Sequence, residues 1–272
     1  MTQMASHTSI GHRANLEDTA RAILIAAAVP QKTEIVILAL GDGAGGHNAG
    51  EVASTLGVDA VSSFLAAQLV TASDEAVPRI GGSITEVIKA ALGYANEAVV
   101  ERAAGANELN AMASTVVCMV IRDGVLYVAW VGDSRGYLYG DGRLRRITHD
   151  HSCVQRLIDL GLVNPVEVQS HPLSHIIDRY LGQPQGFAPE IGTCRIFPGN
   201  VVLACSDGLT DVLSDDEIAA HIRFYQTGCC TFEELPVRLV EAALAAGTTD
   251  NVTVLCCEYE PVPFSRFSRS LK

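Results

Sequence analysis

The sequence predicts an α+β fold, and three observations point there. Two Asp-Gly pairs, Asp123-Gly124 and Asp141-Gly142, each join two β-rich runs, the signature of antiparallel hairpins. Helical stretches are grouped before and after these hairpins rather than alternating with single strands. A Gly-rich loop at 41–50 is followed by two helices in succession, where a βαβ unit would need a second strand.

In chain order, residues 34–40 (Glu-Ile-Val-Ile-Leu-Ala-Leu) read as a buried strand ahead of that loop. Glu51–Val70 is rich in Ala, Val and Leu and reads as a helix. Ser83-Ile84-Thr85-Glu86 has the capping-box pattern and opens a second helix that runs to about Arg102. Ser114–Arg122 and Val125–Val131 form the first hairpin; Gly136–Tyr139 and Arg143–Ile147 form the second. His151–Leu160 looks helical and stops at Gly161. Residues 161–189 carry four prolines and read as a surface loop or flap. Strands resume at Glu190–Ile196 and Val201–Cys205. Capping boxes at Ser214–Glu217 and Thr231–Glu234 start two more helices, and Asn251–Glu258 is a final strand. The tail, residues 261–272, has three basic residues and no acid and is expected to fray.

Composition narrows the function. With 272 residues and 48% apolar content the chain can fill a core without disulfides or zinc. Its eight cysteines include no C-x-x-C pair, and Cys118, Cys205, Cys256 and Cys257 lie in apolar strand-like runs, which reads as reduced core thiols in a cytoplasmic protein. A net charge of −12 argues against a nucleic-acid partner. The longest uninterrupted apolar runs, 22–30 and 35–40, are short for a bilayer span, and the N-terminus has no signal-peptide pattern, so no membrane partner is expected.

The informative feature is where the acids fall. Asp42-Gly43 directly follows one apolar strand, Gly132-Asp133 another and Asp207-Gly208 a third, while Asp250-Asn251 directly precedes the last. Strand ends are rigid mounts, so four carboxylates at four strand mouths can converge. Converging carboxylates repel, and an all-oxygen set suits Mg²⁺ or Mn²⁺ better than zinc. Residues 41–46 also match G-x-G-x-x-G, but the two helices that follow break the dinucleotide-binding context, and no Gly-Lys-Ser/Thr completes a P-loop. Upstream, Arg13, Glu17 and Asp18 cluster; an arginine fork suits a phosphate oxyanion.

Six blocks in order resemble the metal-dependent protein serine/threonine phosphatases of the type 2C class, in their compact bacterial form. They are Gly11 to Asp18, Gly41 to Ser54, Ser114-Thr115 with Val131 to Gly136, Asp150-His151-Ser152, Cys205 to Asp211, and Thr249 to Thr253. The match spans about residues 8–258. It implies a four-layer sandwich, two packed antiparallel β-sheets flanked by α-helices. It implies a single catalytic domain over 1–260, with a flap subdomain at about 150–189 and a flexible tail at 261–272.

The resemblance further implies a centre of two Mn²⁺ or Mg²⁺ ions with a weaker third. By motif position Asp42 bridges both metals, the Gly43 carbonyl binds one, and Asp207 and Asp250 complete the pair. Glu17 and Asp18 hold metal-bound water, Asp133 helps hold the third ion, and Arg13 grips the substrate phosphate. The implied reaction is hydrolysis of phosphoserine and phosphothreonine in proteins by in-line attack of a hydroxide, with Asp42, Asp207 and Asp250 as the catalytic acids and a Ser/Thr kinase as the opposing partner. Ser134 and Ser206 are read as structural hydroxyls, not nucleophiles. A cytoplasmic monomer is expected.

Three positions depart from the family pattern. Ala44 stands where some relatives carry a histidine proposed as general acid, so that role cannot be carried over, and nearby His47 is read as structural. Leu16 replaces a common Asn, and Asn200 a common Asp. Two alternatives stay open at this point: a regulatory pseudophosphatase on the same fold, and a metal-dependent phosphatase of a small metabolite.

Overall fold

The computed structural model describes residues 2–25, 34–45, 49–71, 83–105, 112–164, 168 and 171–260. Two antiparallel sheets form its centre. One comprises, in spatial order, β1 (Gln3–Ser9), β11 (Val252–Glu258), β10 (Val201–Cys205), β7 (Arg135–Gly140) and β8 (Arg143–Arg146). The other runs β2 (Asp18–Ile25), β3 (Ile35–Ala44), β5 (Val116–Arg122), β6 (Val125–Val131) and β9 (Glu190–Arg195), with the short β4 (Ala113–Ser114) added to the end of β3.

Three apolar clusters make the layers. Val36, Leu38, Met119, Val128, Val202 and Leu255 alternate with outward residues along their strands and fill the space between the sheets. The opposite face of β3 and β5, through Ile37, Cys118 and Val120, packs on α1 (Ala49–Thr71) and α2 (Ile84–Ala104). The outer face of the first sheet, through Leu203, Val254 and Cys256, packs on α5 (Asp215–Gln226) and α6 (Glu234–Ala245). The result is the expected α+β four-layer sandwich. Strands buried on both faces read as continuous apolar runs, which is why β3, β5, β10 and β11 were legible.

Both Asp-Gly hairpins form as expected. Asp123 and Gly124 take φ of 54° and 70°, Asp141 and Gly142 52° and 72°, the left-handed pair that a two-residue turn matched to strand twist requires. Ser214 caps α5 in a full reciprocal box with Glu217. The other two boxes differ. Ser83 makes no side-chain cap bond to α2; its hydroxyl is taken by the Thr85 hydroxyl. Thr231 and Glu234 exchange bonds, but a turn at 232–233 intervenes and α6 starts only at Glu234.

Two strands escaped the sequence reading. β1 pairs along its whole length with β11, and β2 pairs with β3 from Asp18↔Asp42 to Ile25↔Ile35. Both are edge strands of mixed polarity, so neither shows the apolar run or clean alternation of an inner strand. The Ala22–Pro30 run is the end of β2 for as far as it is described. α1 is long and apolar enough, by composition, to cross a membrane. Here Ala53, Val58, Val61, Leu65 and Leu69 are buried in the layer against α2 and the second sheet.

The expected flap begins with α3 (Cys153–Asp159), capped by Ser152, and is irregular beyond it. Its return half is pinned rather than loose. Leu181 is fully buried and bridges Ser114, and the Asn96 side chain bonds the backbone at Gly182 and Gln183. Cys118, Cys205, Cys256 and Cys257 are buried free thiols, as expected. The tail and His47 lie outside the described residues.

Candidate active site

β3 does not stop at the apolar run. It continues through Asp42 and Gly43, because Asp42 pairs with Asp18 of β2 and Gly43 with Ser114 of β4. Thr115 locks the corner: its hydroxyl accepts from the Asp42 amide at 2.9 Å and its amide donates to the Asp42 carbonyl at 2.8 Å. That hydroxyl is in turn 2.7 Å from Ser134 Oγ, next to Asp133. Gly43 is required sterically. A Cβ there would sit 2.0 Å from the carbonyl oxygen of Gly50, at the start of α1, and 2.9 Å from that of Glu17. The Gly43 amide donates to the Glu17 carbonyl at 3.0 Å.

Asp207 opens α4 (Asp207–Thr210) at the end of β10, and Asp250 precedes β11, the strand next to β10. Asp133 follows β6 in a turn where Gly132 takes φ of 99°. Asp18 is buried; Ser206 Oγ donates to its Oδ2 at 2.8 Å, and its Oδ1 has no partner. Asp207 Oδ1 is also buried without a partner. Ser206 accepts from the Thr253 amide as well, at 3.0 Å. The hydroxyls of Ser134 and Ser206 are thus engaged in holding the corner and an acid, the structural reading given to them.

The carboxylates face one another. Burial, then the charges of Asp207 and Asp18, hold the Asp42 carboxyl well above the usual range. Burial and the Asp250 charge raise Asp207. Burial, Asp207 and Asp150 raise Asp133 well above its ordinary value. Burial pushes Asp18 up to about 7, against its bonds to Thr253 and Ser206. Glu17 is raised, again by burial first. Acids in this state bind protons unless cations compensate them. Among the described residues, no three His, Cys, Asp or Glu side chains close on a single point tightly enough to chelate an ion alone.

Arg13 is half-exposed and ion-pairs with Asp250 Oδ2. Glu17 is anchored through its backbone: its amide donates to Asn251 Oδ1 at 2.6 Å. So all eight residues singled out from sequence lie around one end of the sandwich. Several neighbours were not singled out. Asp211, one turn beyond Asp207, is raised to about 6 by burial and by Asp207. Arg135 holds Asp150 with two nitrogens, Nε and Nη2, the latter at 2.8 Å. Together with His175 of the flap they line a cleft that also exposes Asp133 and Asp207. Asp211, Arg135 and Asp150 stood inside recognised blocks; their charge was the available signal. His175 had none, because nothing in a sequence says which residue of an irregular loop returns to a cleft.

The model of the Protein phosphatase 2C family matches residues 22–246. The chain belongs to the protein phosphatase 2C family. It is 35% identical over 222 residues to the serine/threonine protein phosphatase PstP of Mycobacterium tuberculosis, covering 82% of this chain and 40% of that relative. It is 31% identical over 228 residues to the serine/threonine phosphatase stp of Listeria innocua, covering 84% of this chain and 85% of that one. The crystal structure of M. tuberculosis PstP/Ppp superposes with a TM-score of 0.76 at 34% identity, covering 95% and 99% of the two chains. A PstP catalytic domain in complex with two manganese ions gives 0.73 at 33% identity, covering 96% and 99%. The family match starts after Arg13, Glu17 and Asp18 and ends before Asp250. The position of those four in this phosphatase 2C fold therefore rests on β1, β2, β11 and their pairing.

Proposed function

We propose that this chain is a metal-dependent phosphoprotein phosphatase that hydrolyses phosphoserine and phosphothreonine. The observation that carries the reading is the set of mutually repelling carboxylates at one sandwich end, two of them, Asp18 and Asp207, with a buried oxygen that lacks a partner. All-oxygen donors with unmet acceptors fit Mn²⁺ or Mg²⁺. Asp42, Asp207, Asp250 and the Gly43 carbonyl would hold two such ions; Asp18 and Glu17 would act through water; Asp133 would hold a weaker third. Bound there, the ions would lower the pKa of water and neutralise charge developing on phosphorus.

The chain's own residues do the rest. Arg13, exposed beside Asp250, offers a planar fork to the phosphoryl oxygens. Ser206 orients Asp18, and Thr115 fixes the Asp42 corner. Ala44 provides no proton donor for the leaving group. Relatives named serine/threonine phosphatases support phosphoprotein substrates, hence a kinase on the opposing side. The same reading makes the chain a cytoplasmic monomer with one domain over 1–260.

The test is turnover of an aryl phosphate and of phospho-Ser, phospho-Thr and phospho-Tyr peptides, with and without Mn²⁺ after chelation. Turnover that survives thorough chelation refutes the scheme.

A further inference from the structure

We infer that Ile10 and Leu16 form an apolar rim beside the phosphate grip, selecting phosphorylated segments with an apolar side chain next to the phosphoresidue. The inference rests on the phosphatase reading through Arg13, and it adds a substrate preference.

Both side chains stand in solvent, Ile10 at 43% and Leu16 at 39% relative exposure. Single exposed apolar residues are ordinary. These two flank Arg13 three residues to either side, on a loop that is clamped from beneath. The Arg13 amide donates to the Ile10 carbonyl at 3.3 Å, and the His12 amide to that of Thr249 at 3.3 Å. One amide nitrogen, Asn251 Nδ2, donates to the carbonyls of both Ile10 and Asn15, at 2.8 and 3.1 Å. The same Asn251 accepts from the Glu17 amide. Gly11 takes φ of 59°, and a Cβ there would meet the Asp250 carbonyl oxygen at 2.0 Å. The loop therefore lies directly on Asp250, the residue that holds the Arg13 guanidinium.

A preordered apolar pair loses little conformational freedom on covering. An extended substrate advances about 3.3 Å per residue. A phosphoresidue gripped at Arg13 would bring its immediate neighbours over Ile10 and Leu16. Acidic neighbours are opposed there by Glu17, Asp250 and the chain's net charge of −12. An apolar neighbour gains by burying against the rim. About two-fifths of each side chain remains to be covered, so each is worth roughly three- to eightfold in KM, on the scale of full burial of a Leu or Ile.

The experiment compares two phosphothreonine peptides differing only in carrying Leu or Ser on both sides of the phosphoresidue, on wild type, Leu16→Asn and Ile10→Ser, all Mn²⁺-loaded. Wild type should show a lower KM for the Leu peptide. Each variant should shrink that preference by the stated factor while aryl-phosphate kcat/KM stays at the wild-type value. Binding of the matching phosphonothreonine peptides, which cannot turn over, reads the same preference if hydrolysis is absent. Failure of the phosphatase reading would thus show as no aryl-phosphate turnover, separately from this inference. A wild-type enzyme indifferent to Leu or Ser, or variants that keep the preference, would overturn the rim. Equal loss on peptide and aryl phosphate would show that Ile10 and Leu16 merely shape the Arg13 loop.

Discussion

Replacing Asp18 by Asn should stabilise the metal-free protein at pH 8 and not at pH 5. Asp18 titrates near 7 in the folded state against 3.8 for the free group, because burial penalises its charge. A raised carboxylate binds its proton more tightly folded than unfolded, so stability falls as pH climbs from 3.8 to about 7 and then levels. That displacement corresponds to about 4 kcal/mol of destabilisation at pH 8. At pH 5 less than half of that is present, because pH 5 lies only a little above the free group's 3.8 and well below 7. An Asn keeps one oxygen for Ser206 but puts an amide where the partnerless oxygen was, costing about 1–3 kcal/mol. The net is a gain of about 1–3 kcal/mol at pH 8 and about nothing, or a loss, at pH 5. For a chain of this size that is roughly 2–5 °C in Tm at pH 8. Thermal melts of wild type and Asp18→Asn in EDTA, at both pH values, read it directly. With saturating Mn²⁺ wild type should gain more than the variant, because an ion bound only to the folded state stabilises it. A variant destabilised equally at both pH values would show that Asp18 serves as the acceptor for Ser206 and carries no strained charge.

Three further outcomes test the remaining assignments. Asp42→Asn, Asp207→Asn and Asp250→Asn should each nearly abolish aryl-phosphate turnover with the fold intact by circular dichroism; activity within threefold of wild type for Asp42→Asn would sink the two-ion reading. Asp133→Ala should lose most turnover while metal counting on the purified protein still finds two ions; loss of those two would make Asp133 structural for the main centre. Arg13→Ala should lower kcat/KM about 10- to 150-fold, chiefly through KM, with Arg13→Lys rescuing only part, as steady-state kinetics on a phosphothreonine peptide would show.

The parts of the fold that were legible in sequence are those where one local rule acts alone. Asp-Gly at 123–124 and 141–142 demands left-handed dihedrals, and both turns have them. β3, β5 and β10 are buried on both faces and so are continuous in apolar residues. What was not legible depends on which of several available partners a residue meets. β1, Gln-Met-Ala-Ser-His-Thr-Ser, becomes a strand because β11, some 250 residues on, offers it an open edge. Ser83 has the sequence of a cap and the backbone of one, yet Thr85, two residues on, takes its hydroxyl. A motif specifies what a residue can bond, and the surroundings decide among the possibilities.

The site shows the same division one level up. That acids stand at strand mouths could be read from Asp42, Asp133, Asp207 and Asp250 alone, since each abuts an apolar run. That they meet could not, because meeting requires the strand order. β10 and β11 are neighbours, which sets Asp207 beside Asp250; β2 pairs with β3, which sets Asp18 opposite Asp42. The sheets then bring the two pairs together, and the sign of this is chemical: Ser206, from the first sheet, donates to Asp18, from the second. The N-terminal segment is what makes the pairing asymmetric. By adding β1 to one sheet and β2 to the other, it carries the loop between them across the mouth of the sandwich. Asn251 fastens that loop at Ile10, Asn15 and Glu17, leaving Arg13 over Asp250. A cation at Arg13 and anions beneath it are therefore consequences of one strand crossover. It follows that the phosphate grip and the acid cluster stand or fall together: loosening Asn251 should weaken both, whereas changing the flap should leave both in place.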